Sequence, residues 1–164
     1  ILANTLGWDF YDLDRVIERR EGKKVKEIFA EKGETYFREL ELYHLTELSS
    51  FDNVIVALGG GTISSQQILT LLKNTGKLIY LKTSPEASYK RLRFKRDRPN
   101  LISEQSDEPS KEELLGKINN LLEDRVKFYE QADLTINTDS FSVGKTVDKI
   151  VRLIDNFDSL TKQS

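Results

Sequence analysis

Asp12-Leu-Asp14 sets two carboxylates two residues apart, after the short apolar run Trp8-Asp-Phe-Tyr11 and before the helical pattern Val16-Ile17. At the carboxyl end of a strand both acids face the crevice where open α/β sheets hold their ligands; the plainer alternative is that one of them caps the following helix. A second constellation is Val54-Ile-Val-Ala-Leu-Gly-Gly-Gly61, an apolar run closed by three glycines. Such glycines let backbone approach a small molecule closely and take φ/ψ values that other residues avoid. An ordinary glycine-rich turn would look the same. Arg38 and Glu41 lie three residues apart on a helical pattern. They form either an exposed ion pair of little worth or a guanidinium held ready for an anionic ligand. His44, on the same helix, reads as a surface or partly buried helix histidine.

These groups need elements to hold them. Ile1 to Leu6 reads as a helix end with Gly7 as its C-cap, and Trp8 to Tyr11 as a strand. Val25 to Lys32 is a short amphipathic helix with Val25, Ile28 and Phe29 on one face. Gly33-Glu34 breaks the chain before a helix from about Thr35 to Ser49, whose apolar face is Phe37, Leu40, Tyr43 and Leu48. The run Val54 to Leu58, apolar on both faces, is a strand buried within a parallel sheet. Ser64 or Ser65 caps a helix that stops near Gly76, and Lys77 to Leu81 is another strand.

Thr83-Ser84-Pro85 starts a helix with Pro at its first position, reaching about Lys95. It carries Lys90, Arg91, Arg93, Lys95 and Arg96, a cluster of the kind found on solvated faces, and ends in Asp97-Arg98-Pro99. Asn100 to Lys111 is polar, and so long a polar loop in a compact domain suits a lid. Glu112 to Gln131 is a long helix containing Arg125, Leu134 to Ile136 a last short strand, and Ser142 to Phe157 the closing helix. Asp158 to Ser164 is expected to fray. Strand and helix alternate throughout, which predicts a parallel sheet covered by helices.

Composition narrows the class. A chain of 164 residues, 38% hydrophobic and 32% charged, suits one globular domain with a core of useful size. A net charge of −2 gives no global pull toward nucleic acid or membrane surfaces. Cysteine is absent, which excludes disulfides and thiol chemistry, and one histidine makes a histidine metal cage or triad a poor fit. The chain starts at Ile1 and contains no methionine, so a segment upstream is expected.

Taken together, these pieces resemble shikimate kinase, of the nucleoside-monophosphate-kinase-like P-loop kinases. The carriers are Asp12-Leu-Asp14 after Leu6-Gly-Trp-Asp-Phe10, Gly33-Glu-Thr-Tyr-Phe-Arg-Glu-Leu-Glu41, Ala57-Leu-Gly-Gly-Gly61, Arg98-Pro99 and Arg125-Val-Lys-Phe-Tyr129. Each is weak alone; five in order over the whole chain are not. The resemblance implies a three-layer α/β/α fold with a parallel sheet, in a single domain over 1–164 with a mobile lid at about 97–111. It implies transfer of phosphoryl from ATP, with Mg2+, to the 3-hydroxyl of shikimate on the route to chorismate and the aromatic amino acids. The expected unit is a monomer without nucleic-acid or membrane partners, in the cytoplasm or in the stroma of a plant plastid.

Residue roles follow from the same resemblance. Asp14 is expected to bind the shikimate hydroxyls and help activate the attacking one, and Asp12 to support Mg2+ through water. Arg38, oriented by Glu41, and Arg125 would grip the shikimate carboxylate. Gly59, Gly60 and Gly61 would meet the substrate through backbone groups, with Gly60 foremost. Arg98 in the lid would close on the ATP phosphates, Arg91 would lie near the nucleotide, and Ser140-Phe141 near the adenine.

Two departures stand out. The family's Gly-x-x-x-x-Gly-Lys-Ser/Thr loop and the strand before it would precede the helix ending at Leu6-Gly7. Gly144-Lys145-Thr146 is no substitute, having no upstream glycine and lying in a helical pattern. The strand expected upstream would lie between Val54–Leu58 and Lys77–Leu81. Asn100, where the family usually has Leu, and a longer polar lid bear on lid packing and not on the reaction. The alternatives are a shikimate-kinase-like binding domain without catalysis and a kinase for another polyol acid.

Overall fold

The computed structural model describes residues 1–92 and 111–161. Helix α1 (Leu2–Leu6) ends on Gly7 in the left-handed region at φ 69° and is followed by strand β1 (Asp9–Asp12). Helix α2 (Leu13–Glu21) starts at once, with Asp12 as its N-cap. Helix α3 (Val25–Leu48) is interrupted at Gly33, whose φ of 78° and ψ of 175° are not helical, so the break predicted at Gly33-Glu34 is present. Strand β2 (Val54–Ala57) follows, then helix α4 (Gln66–Thr75), capped by the Ser65 hydroxyl accepting from the Ile68 N–H.

Strand β3 (Ile79–Lys82) leads through helix α5 (Pro85–Leu92) and helix α6 (Lys111–Tyr129) to strand β4 (Leu134–Asn137) and helix α7 (Val143–Thr161). Ser84 caps α5 by accepting from the Ala87 N–H at 3.2 Å, with Pro85 where its missing donor is harmless. Helix α7 continues to Thr161, into the stretch expected to fray. Gly144-Lys145-Thr146 lies in its first turn, as a helical reading of those residues requires.

Both strand pairs are parallel: β1 with β2, Asp12 level with Ala57, and β3 with β4, Lys82 level with Asn137. The carboxyl ends of β1 and β2 therefore share one edge, which brings Asp12, Asp14 and the glycines to the same place. The described strands form two parallel pairs, as expected of a parallel sheet covered by helices. Residues of both β2 and β3 line a mainly apolar cleft of about 1200 Å3, including Val54, Val56, Ala57, Ile79 and Leu81.

The main core joins Leu13 and Ile17 of α2 to Ile28, Phe37, Leu45 and Leu48 of α3 and Ile68 of α4. Burying one such side chain contributes about 2 kcal/mol. The expected apolar face of α3 needs one correction. Tyr43 is 61% exposed, while Glu41, His44 and Leu45 take the inner positions. Positions 37, 41, 44, 45 and 48 share one helical face, whereas 43 points away. His44 is buried there, its Nδ1 3.1 Å from Glu47 Oε2.

Candidate functional site

Asp12 takes the capping role that was one alternative for the acidic pair: its Oδ1 accepts from the Arg15 N–H at 3.2 Å. Asp14, one position into α2, turns its carboxylate over Gly59. A β-carbon on Gly59 would stand 3.2 Å from Asp14 Oδ1 and 3.3 Å from Thr62 Oγ1, so glycine is what lets backbone, carboxylate and hydroxyl meet.

Arg38 comes to the same turn from α3. Its Nη1 donates to Glu41 Oε2 at 2.5 Å, while its Nε and Nη2 donate to Glu34 Oε1 at 3.2 and 2.8 Å. Burial lowers the guanidinium pKa, but the bonds to Glu41 and Glu34 outweigh it and hold the value above its usual level. Arg38 thus carries its charge at neutral pH. Its two partners differ. Glu41 is buried, a fixed anchor, whereas Glu34 is 66% exposed and its bond is one that a bound anion replaces at small cost.

Arg38 packs flat against the glycine turn. A β-carbon on Gly61 would lie 2.6 Å from Arg38 Nη2 and 3.2 Å from its Cζ. We expect Gly61→Ala to dislodge the guanidinium from at least one glutamate and raise the KM for the anionic substrate about tenfold. Steady-state kinetics with the second substrate saturating measure this; an unchanged KM would show that the position of Arg38 is immaterial. Gly60 has more room, its added β-carbon meeting only Arg125 Nη1 at 3.9 Å.

Helix α6 supplies the far wall. Arg125 Nη1 donates to the Gly60 carbonyl at 2.6 Å, and the Tyr129 hydroxyl donates to the same oxygen at 2.5 Å. Burial raises the Tyr129 phenol, against the lowering effect of the Arg125 and Arg38 charges, so it remains a donor at neutral pH. Asp14, Arg38, Gly59 to Gly61 and Arg125 are thus brought to one turn, by three helices far from it in sequence. An acid, two cations and bare backbone suit a small hydroxylated anion.

Not every residue singled out can be located. Arg98 and the expected lid up to residue 110 lie outside the described residues, and so does the side chain of Arg91. Phe141 lines the cleft and is 42% exposed. Thr62, Glu34 and Tyr129 were missed as contributors. Thr62 adjoins the glycines and Tyr129 closes the motif that begins at Arg125, but which partners they meet is a matter of tertiary packing.

A family model for shikimate kinase matches residues 1–155. The shikimate kinase of Chlorobium phaeobacteroides is 45% identical over 157 residues, covering 96% of this chain and 83% of that protein. That of Chlorobaculum parvum is 44% identical over 155 residues, covering 94% and 83%. Among solved structures, shikimate kinase from Bacteroides thetaiotaomicron superposes with a TM-score of 0.83 at 34% identity, over 94% of this chain and 88% of its own. The Acinetobacter baumannii enzyme, in complex with shikimate, gives 0.84 at 33% identity, over 94% and 83%.

Proposed function

Because the chain belongs to the shikimate kinase family and is a kinase that phosphorylates shikimate, we propose that it moves the γ-phosphoryl of ATP to the 3-hydroxyl through the residues gathered at the glycine turn. The observation that carries this reading is the meeting of Asp14, Arg38 and Arg125 around Gly59 to Gly61. Arg38 and Arg125 grip the shikimate carboxylate from opposite sides, and backbone groups of the turn lie against the ring. Asp14 holds the reacting hydroxyl and accepts its proton as the oxygen bonds to phosphorus. The bond from phosphorus to the bridging oxygen breaks, ADP leaves, and the proton passes from Asp14 to solvent. Phosphoryl transfer asks little covalent work of the protein, so this positioning and charge account for most of the rate.

Arg98 closes on the ATP phosphates, and Arg91 approaches the nucleotide. Both roles rest on the resemblance of the Arg98-Pro99 segment and its surroundings. For Mg2+, a single carboxylate such as Asp12 is a fitting donor, because the ion commonly takes only one or two carboxylates, the rest being water and phosphate. Asp12 would hold the ion through water, where it supplies positive charge to the phosphate oxygens. The acting unit we propose is a monomer, as the family resemblance implies. The compartment we propose is the cytoplasm, or the stroma of a plant plastid, as the family resemblance implies. No helix among the described residues is long and apolar enough to cross a membrane.

The test is turnover of ATP plus shikimate, with intact mass measured on the same sample and the product identified by its added phosphate. Shikimate 3-phosphate formed in step with ADP is the expected result. Shikimate binding with no turnover, in protein whose nucleotide site is occupied, would leave a binding domain in place of an enzyme.

A further inference from the structure

Thr62 follows the three glycines and is fully buried. Its N–H donates to the Gly59 carbonyl at 3.1 Å, closing the turn. Its hydroxyl donates to Glu41 Oε1 at 2.6 Å, across a separation of 21 residues. The other oxygen of Glu41 accepts from Arg38 Nη1 at 2.5 Å. Hydroxyl, carboxylate and guanidinium thus stand in series, and the last of them lies on Gly61, next to the residue where the series begins.

We infer that Thr62 is a positioning residue of the substrate grip: its hydroxyl fixes the Glu41 carboxylate, which in turn aims Arg38 at the substrate carboxylate. The inference rests on the reading of Arg38 given above. Its physical basis is the state of Glu41, which is 1% exposed and accepts from Arg38 on one oxygen and from Thr62 on the other. A buried ionised carboxylate that loses a donor is strongly disfavoured unless it finds another. Without the Thr62 hydroxyl, the donor within its reach is Arg38. Glu41 then turns both oxygens toward the guanidinium and draws it off the glycine turn. The fork that should meet the substrate is engaged by the protein instead.

Thr62→Val removes the hydroxyl and keeps the shape. The expected result is a KM for shikimate about tenfold higher, with kcat and the KM for ATP within about twofold of native. Thr62→Ser restores the hydroxyl and is expected to restore the KM. A purely structural defect would lower kcat and ATP affinity as well. Should Thr62→Val fail to fold, Thr62→Ala is measured in the same way. An unchanged shikimate KM in whichever variant folds, or no rescue by Ser, overturns the inference.

A cycle with Arg38 separates the two levels. In an Arg38→Lys chain, which keeps weak shikimate binding, Thr62→Val is expected to leave kcat/KM for shikimate unchanged within about twofold, because the fork it aims is gone. A further drop of about tenfold there would show that Thr62 acts by some other route. If Arg38→Ala alone kept native kcat/KM, the fault would lie with the carboxylate reading and not with the coupling of Thr62 to Glu41.

Discussion

Asp14→Asn is expected to bind shikimate and ATP nearly as well as the native chain and to turn over about 1,000-fold more slowly. The amide has the size and polar shape of the carboxylate, so the substrate hydroxyls keep a partner and the first turn of α2 keeps its geometry. What it lacks is a basic oxygen. At the moment of transfer the hydroxyl proton must leave, and an amide is a far weaker acceptor than a carboxylate. Asp14 is well placed for the task because glycine at 59 allows its Oδ1 to sit against the backbone of the turn. Steady-state rates of ADP release, with calorimetry for each ligand, measure the effect. A kcat within tenfold of native would remove Asp14 from the chemistry.

Arg38→Ala is expected to abolish measurable shikimate binding while nucleotide binding stays close to native. Two losses combine. The substrate carboxylate forfeits a charged fork on one side, and Glu41 is left buried without its cation. Stranding a buried charge in this way typically costs about 3–5 kcal/mol, so the variant should also melt at lower temperature. Arg38→Lys separates the two, since it keeps the charge near Glu41 but cannot offer two parallel donors. It should fold better than Arg38→Ala and still bind shikimate poorly. Calorimetry on both variants is decisive: loss of nucleotide and shikimate together would mean that Arg38 supports the whole fold and not the acceptor site.

Much of the scaffold was legible because its signals are local. Gly7, Gly33, Ser65 and the Ser84-Pro85 pair act on the backbone within a few residues, and each stands where the pattern put it. The face of α3 was misjudged at Tyr43 because a helix with polar residues on its inner side gives a poor apolar stripe. Glu41 and His44 are buried by virtue of their partners, which hydrophobicity does not report. The acids, glycines and arginines could be named as site candidates from residue type and resemblance. Thr62 and Tyr129 could not, because their partners are 21 and 69 residues away and are set by how α3 and α6 meet the turn. Asp12 was legible only as a choice between two roles, and its capping bond is observed.

The Gly60 carbonyl is bonded by Arg125 and Tyr129 of α6, and the neighbouring Gly61 lies under Arg38 of α3. A substrate held by Arg38 and Arg125 is therefore a removable staple between two helices that meet at one turn. While it is bound, any opening that parts α3 from α6 also costs the binding free energy, and each product release removes that cost.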